Sequence, residues 1–213
     1  GLVSPDEFIP VAEEVGIIRD LGRYIFRIAT TQLIHWHSLG YDNVHMAINV
    51  SAREFQLSDY PLELARLMDE IDIKPHFIEL ELTESIVMDD PEKMTLMLDD
   101  IKNLGFSLSI DDFGTGYSSL SYLQRLPVDV LKVDQSFVRE IEHNPNSKAI
   151  AKAIISMAHS LNLRVVAEGV ETKAQLEFFK DNNCELIQGY YFSKPLSKDE
   201  ARMFLHQHSQ TEA

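Results

Sequence analysis

Phe106-Ser107-Leu108-Ser109-Ile110 is a short, largely apolar run that stops on two adjacent carboxylates, Asp111 and Asp112. The same arrangement recurs on both sides of it. His45-Met46-Ala47-Ile48 closes on Asn49, and Phe77-Ile78-Glu79-Leu80 on Glu81. Val128-Asp129-Val130-Leu131 closes on Lys132, Arg164-Val165-Val166-Ala167 on Glu168, and Leu186-Ile187 on Gln188. Short apolar runs separated by longer amphipathic segments predict repeated βα units and a parallel sheet. If such strands close into a barrel, the residues that end the runs gather on one face, at the strands' C-terminal ends, where barrel enzymes keep their chemistry. Carboxylates with one carboxamide suit a hard divalent cation.

Helix signals fill the intervals. Ser4-Pro5-Asp6-Glu7 offers an N-cap, a proline at the first helical position and a capping-box glutamate. A second helix is expected over Ile18–His37, another near Leu62–Ile71, and one from Pro91 to about Asn103, ended by Gly105. Further helices are expected over Ser147–Leu161, near Lys173–Phe179, and after the capping sequence Pro195–Glu200, with a polar, frayed tail from Gln207. No linker, low-complexity tract or fixed-period repeat divides the chain, so residues 1–213 read as one domain. The pattern supplies six strands, where a closed barrel has eight. The expected fold is therefore α/β, a TIM-like (βα)8 barrel, N-terminally truncated, with the remaining strands expected before Gly1.

A chain of 213 residues with 45% hydrophobic residues can bury a sizeable core. No apolar run is long enough to span a bilayer, and no signal peptide is visible. A single cysteine, Cys184, cannot form an internal disulfide, which points to a reducing compartment, and its setting before an apolar run reads as core filler. The net charge of −15 argues against binding long nucleic acid through the general surface. It leaves room for a small phosphorylated ligand, because a metal centre inverts the local sign.

In Glu79-Leu80-Glu81-Leu82-Thr83-Glu84 a strand places Glu79, Glu81 and Thr83 on one side, where a buried Glu81 needs a cation. Asp111 and Asp112 can bridge two cations or bind one each; Asp112 also suits a turn entering the Gly-rich loop Phe113–Ser119. Lys132, inside an apolar run, can orient a water, stabilise phosphate charge, form a Schiff base or snorkel to solvent. Of Glu168 and Glu171, one can ligate metal or accept a proton while the other caps the next helix. Gln188 can hydrogen-bond a base edge or ribose, or simply serve the turn at Gly189. The histidines form no metal pattern, and no phosphate-binding Gly-Lys-Ser/Thr or Gly-x-Gly-x-x-Gly loop follows a strand.

Taken together, Ile48–Ser51, Glu79–Ser85, Asp111–Ser119, Leu131–Asp134, Ala167–Thr172, Gln188–Tyr190 and Phe192–Leu196 resemble the EAL domain family, in family order and over nearly the whole chain. The resemblance implies a modified (βα)8 barrel that hydrolyses cyclic di-GMP to linear pGpG with Mg2+ or Mn2+. It implies that Asn49, Glu81 and Asp111 are metal ligands and that Asp112 ligates a second metal. Lys132 would hold the attacking water, and Glu168 would be a metal-linked glutamate acting as general base. Glu171 and Gln188 would be supporting and substrate-proximal, and Glu84 would steady the loop after Asp112, which the family uses in dimerisation. The family's Glu-Ala-Leu motif, with a metal-ligating glutamate and a nearby arginine, lies upstream of the segment matching Gly1–Pro5. The chain as it stands is therefore expected to hydrolyse slowly or not at all. The partners implied are cyclic di-GMP, a second copy in a homodimer and a neighbouring sensory or GGDEF domain. The setting implied is a cytoplasmic domain, with a membrane anchor possible elsewhere in its parent. A different class, a cyclic di-GMP-binding or scaffolding module without hydrolysis, is the alternative.

Overall fold

The computed structural model describes residues 3–56, 59–116 and 120–209. Two helices lead the chain, α1 (Pro5–Glu14) and α2 (Ile18–Ser38), followed by strand β1 (Met46–Asn49). Helices α3 (Ala52–Phe55) and α4 (Tyr60–Asp69) and a 3-10 turn, Pro75–Phe77, lead to β2 (Ile78–Thr83). Then come α5 (Glu84–Asp89), α6 (Pro91–Asn103), β3 (Ser107–Phe113), α7 (Leu120–Leu123), β4 (Val130–Val133), α8 (Gln135–Glu140) and α9 (Pro145–Ser160). The chain ends with β5 (Arg164–Ala167), α10 (Lys173–Asp181), β6 (Leu186–Ile187) and α11 (Lys198–Ser209).

The strands form one six-stranded sheet in chain order, β1-β2-β3-β4-β5-β6, and every pairing is parallel. Alternation along each strand sorts the side chains. Ile78, Leu80 and Leu82 of β2 and Leu108 and Ile110 of β3 are fully buried and join Phe106, Leu98, Ile101 and Ile155 in the hydrophobic core. Glu79, Glu81 and Thr83, with Ser107, Ser109 and Asp111 at paired or alternate positions, take the opposite face. That face is the concave side of the curled sheet, so its polar inventory fills the space that a closed barrel packs with side chains. No helix among the described residues is long and apolar enough to cross a membrane.

Several local expectations are corrected. Ser4 occupies the N-cap of α1, but its side chain makes no cap hydrogen bond there; its hydroxyl lies 3.4 Å from Asp6 Oδ2 instead. A full capping box forms at Ser51 and Glu54, opening α3, and another at Thr172 and Gln175, opening α10. Helix α9 starts before Ser147, at Pro145, because Asn144 accepts from the Asn146 and Ser147 amides. Helix α11 continues through Gln207 to Ser209. The short helices α3, α5 and α8 had no periodic signal of their own. Tyr117, Ser118 and Ser119 of the Gly-rich loop lie outside the described residues. Cys184 is buried, and its Sγ faces the Val165 and Leu186 carbonyls; burial pushes its thiol up to about 12, as core filler requires.

Candidate active site

Lys132 is flanked by Val130, Leu131 and Val133 on a strand with no exposed residue. It is itself 2% exposed, so it does not snorkel. Its Nζ lies 2.7 Å from Glu81 Oε1, 2.8 Å from Glu168 Oε1 and 3.1 Å from Asp111 Oδ2. An ammonium withdrawn from water is tolerable only when paired, and this one draws carboxylates from the ends of β2, β3 and β5. Burial pulls the Lys132 ammonium down, but Glu81, Glu168 and Asp111 together outweigh it and hold it above the ordinary lysine range. An amine held protonated in this way is the opposite of a Schiff-base nucleophile, which must be neutral to attack.

The three carboxylates reach the same point because register places them there. Asn49 pairs with Glu81 across β1 and β2, Thr83 pairs with Asp111 across β2 and β3, and the Glu168 amide donates to the Val133 carbonyl one step beyond β5. Glu81 is 7% exposed; burial pushes its carboxyl up against the pull of Lys132. Glu168 is raised to about 7, first by burial, with Asp111 adding to the shift and Lys132 opposing it.

Asp112 stands beside this cluster on strained backbone. The β3–β4 register shifts between Ile110 and Phe113, and Asp112 takes a left-handed φ of 54°, a conformation Asp tolerates better than most side chains. Its amide donates to Asp111 Oδ1 at 2.9 Å. Burial, then Asp111 and Asp134, push its carboxyl up to about 6. Carboxylate oxygens of Asp111, Asp112 and Glu168 lie within 4.8 Å of one another. Asp134 stands beside Asp112 at the end of β4; it lies in the segment Leu131–Asp134 without a role predicted from sequence, and it caps α8, accepting from the Ser136 amide at 2.9 Å. Its signal was the one used for the other strands, a carboxylate at a strand's C-terminal end.

Glu84 lies at the start of α5, buried to 3% exposure. Its Oε2 accepts from the Gly114 amide at 2.9 Å, which ties β2 to the loop after Asp112. Gly114 has a φ of +100°, and a Cβ at Gly116 would fall 2.5 Å from Glu84 Oε1, so the loop closes on this carboxylate only with glycine at these positions.

The remaining sequence-predicted residues are near the cluster but outside it. Glu171 and Gln188 are exposed and line, with Glu168, a cavity of about 250 Å3. Glu171 does not cap α10; its amide donates to Gln175 Oε1 at 2.7 Å, and Thr172 is the cap. Asn49 is exposed on the edge strand and lines a larger, mostly apolar cavity of about 540 Å3 beside α1 and α2.

Comparison with known proteins agrees with this architecture. The sequence model of the EAL domain matches residues 1–195. The chain is 43% identical over 204 residues to the signaling protein YkoW of Bacillus subtilis, covering 96% of this chain and 25% of that protein. It is 45% identical over 196 residues to the cyclic di-GMP phosphodiesterase NbdA of Pseudomonas aeruginosa, covering 92% of this chain and 25% of that protein. The chain thus spans about a quarter of the length of these curated relatives. Among solved structures, the PaMucR phosphodiesterase in its c-di-GMP complex superposes with a TM-score of 0.91 at 37% identity, covering 94% of this chain and 81% of that one. The six-stranded arc is therefore the TIM-like barrel fold of that structure.

Proposed function

The chain belongs to the EAL domain family, and on that premise we propose that within its parent protein it hydrolyses cyclic di-GMP to linear pGpG with Mg2+ or Mn2+. The observation that carries this reading is Lys132, buried and charged among Glu81, Asp111 and Glu168. The donor set fits a divalent cation. Glu81, Asp111 and Glu168 converge on one ammonium, Asp112 and Asp134 stand beside them, and burial first, then Asp111, raises Asp112 and Glu168. Hard oxygen ligands of this kind are what Mg2+ and Mn2+ prefer. Glu81, Asp111, Asp112 and Glu168 would hold the metal, with Asn49 supplying a carboxamide from the neighbouring strand. When bound, such a cation lowers the pKa of water and offsets charge on phosphate oxygens.

The protein's own groups do the rest. Water adds to phosphorus, one P–O bond of the cyclic diester breaks, and the products are a terminal phosphate and a hydroxyl. Lys132 positions the water and stabilises the charge that develops on the phosphoryl oxygens. Glu168, 2.8 Å from Lys132 Nζ, is the carboxylate assigned to accept the water's proton as general base. Glu171 and Gln188 border the substrate from the adjoining cavity. The loop steadied by Glu84 is the contact through which the protein forms a homodimer, and the domain works in the cytoplasm beside a sensory or GGDEF domain.

The test is chromatography of cyclic di-GMP incubated with Mn2+ and the parent protein that carries this chain. Formation of pGpG, abolished by EDTA, is expected. Tight cyclic di-GMP binding with no pGpG would favour the non-hydrolytic binding module instead.

A further inference from the structure

We propose that Arg139 is a specificity-determining residue that reads one guanine of the substrate in the cavity beside Glu168; this rests on the hydrolase reading above. The cavity is built by three successive strand ends. Gln135 and Arg139 come from α8 after β4, Glu168 and Glu171 from the loop after β5, and Gln188 and Tyr190 from the end of β6. Its volume of about 250 Å3 is below the roughly 300–1,000 Å3 that encloses a whole drug-sized ligand. It therefore takes a single base, while the phosphates remain at the carboxylate cluster that Glu168 shares with it.

The lining matches guanine edge by edge. Arg139 is the only cation among the residues that line the cavity. One guanidinium nitrogen is fixed by Gln135, whose Oε1 accepts from Arg139 at 2.7 Å. An i,i+4 clamp of this kind pre-orients a planar fork whose other N–H groups remain to donate. Guanine O6 and N7 are two adjacent acceptors, the pattern an arginine fork reads; adenine puts an amino donor in place of O6 and repels it. The N1–H and amino group on the other side of guanine are donors, which a carboxylate such as Glu171 accepts. Tyr190, 55% exposed, offers an aromatic face for stacking, and Lys194 Nζ lies 6.0 Å from its ring centroid.

Arginine at this place is not explained by stability. Arg139 is exposed and forms no ion pair among the described residues, and on a protein of net charge −15 it stands where an anionic dinucleotide must approach.

The experiment compares the parent protein with its R139A, R139K and Q135A variants. Equilibrium Kd is measured in EDTA for cyclic di-GMP and for the cyclic dinucleotide in which adenine replaces both guanines, and KM and kcat with Mn2+. For R139A the Kd and KM for cyclic di-GMP should rise by about 5- to 150-fold, the discrimination a bidentate base contact supplies, with kcat within about threefold. The preference for guanine over adenine should shrink by a similar factor. R139K, which keeps charge but loses the fork, should recover little of that preference, and Q135A should fall between. An unchanged Kd would overturn the proposal. So would an equal rise for both dinucleotides, which would make Arg139 a phosphate contact. Absence of turnover in the wild type would sink the hydrolase reading alone, because the Kd comparison still decides the role of Arg139.

Discussion

Lys132 Nζ meets Glu81 Oε1 at 2.7 Å across the strand that separates them. Glu81 is on β2 and Lys132 on β4, and β3 lies between. The residue of β3 paired with Glu81 is Ser109, whose partner on β4 is Val130, two residues before Lys132. Ser109 is fully buried, and its hydroxyl has no hydrogen-bond partner among the described residues. Its small side chain shares the concave face with Glu81. The hydroxyl itself adds nothing that the structure uses. Ser109→Ala should be neutral or stabilising by about 1 kcal/mol, since it removes an unpaired buried hydroxyl. Ser109→Leu should overfill the concave face, destabilise by about 1–3 kcal/mol and part Lys132 from Glu81. Urea unfolding of both variants checks the pair; a loss of more than about 1 kcal/mol in Ser109→Ala would show that the hydroxyl has a partner in solution.

Divalent cations should stabilise the protein. Bringing carboxylates together around one lysine leaves excess negative charge that binding relieves, so Mn2+ at about 100 times its Kd should add about 2.7 kcal/mol. EDTA should remove it. Asp111→Asn should weaken this response and abolish pGpG formation while leaving the metal-free melting temperature nearly unchanged. Thermal melts with and without Mn2+ measure both effects.

Glu84 controls the loop after Asp112. Its carboxylate accepts from the Gly114 amide and lies where a Gly116 side chain would stand. Glu84→Ala should lower metal-dependent turnover at least tenfold and weaken the dimer, and Gly116→Val should do the same by displacing the carboxylate. Sedimentation and turnover assays test this; a loss of activity with dimer and metal affinity intact would remove the loop-anchor role.

Glu54 gives a pH dependence with a definite sign. Burial raises its carboxyl above the usual range, with Ser51 hydrogen bonds opposing. The folded state then holds this proton more tightly than the unfolded chain, so the contribution to stability is lost as pH rises through the raised pKa. Glu54→Gln keeps a capping-box partner for the Ser51 amide without the buried charge. It should be more stable than wild type by on the order of 1 kcal/mol at pH 7, with the difference closing near pH 4. Urea midpoints across that range would show it; a difference that grows on acidification would reverse the sign.

Much of the site was legible because a strand's last residue interrupts an apolar run. Asn49, Glu81, Asp111, Lys132 and Glu168 each stand at such a break, and the parallel order brings their strand ends to one face. What could not be read were relations between strands. Nothing local tells that Lys132 turns inward to three carboxylates rather than outward to solvent, or that Ser109 must be small. Asp134, which caps α8, is passed over because the apolar run reads as closing on Lys132. Helices α3, α5 and α8, of four to six residues, are too short for the 3.6-residue period to declare them. Arg139 sits on one of these and gave no signal until α8 was placed beside Glu168 and Gln188.

Lys132→Ala measures the central claim most directly. In the parent protein, with cyclic di-GMP and saturating Mn2+, the wild type should release pGpG, and Lys132→Ala should lower kcat by about 100- to 1,000-fold, the loss expected when one preorganised electrostatic group is removed. The Kd for cyclic di-GMP should change by less than about threefold, since an interaction confined to the transition state leaves ground-state binding intact. An unchanged kcat with a raised KM would make Lys132 a binding residue only and contradict the account.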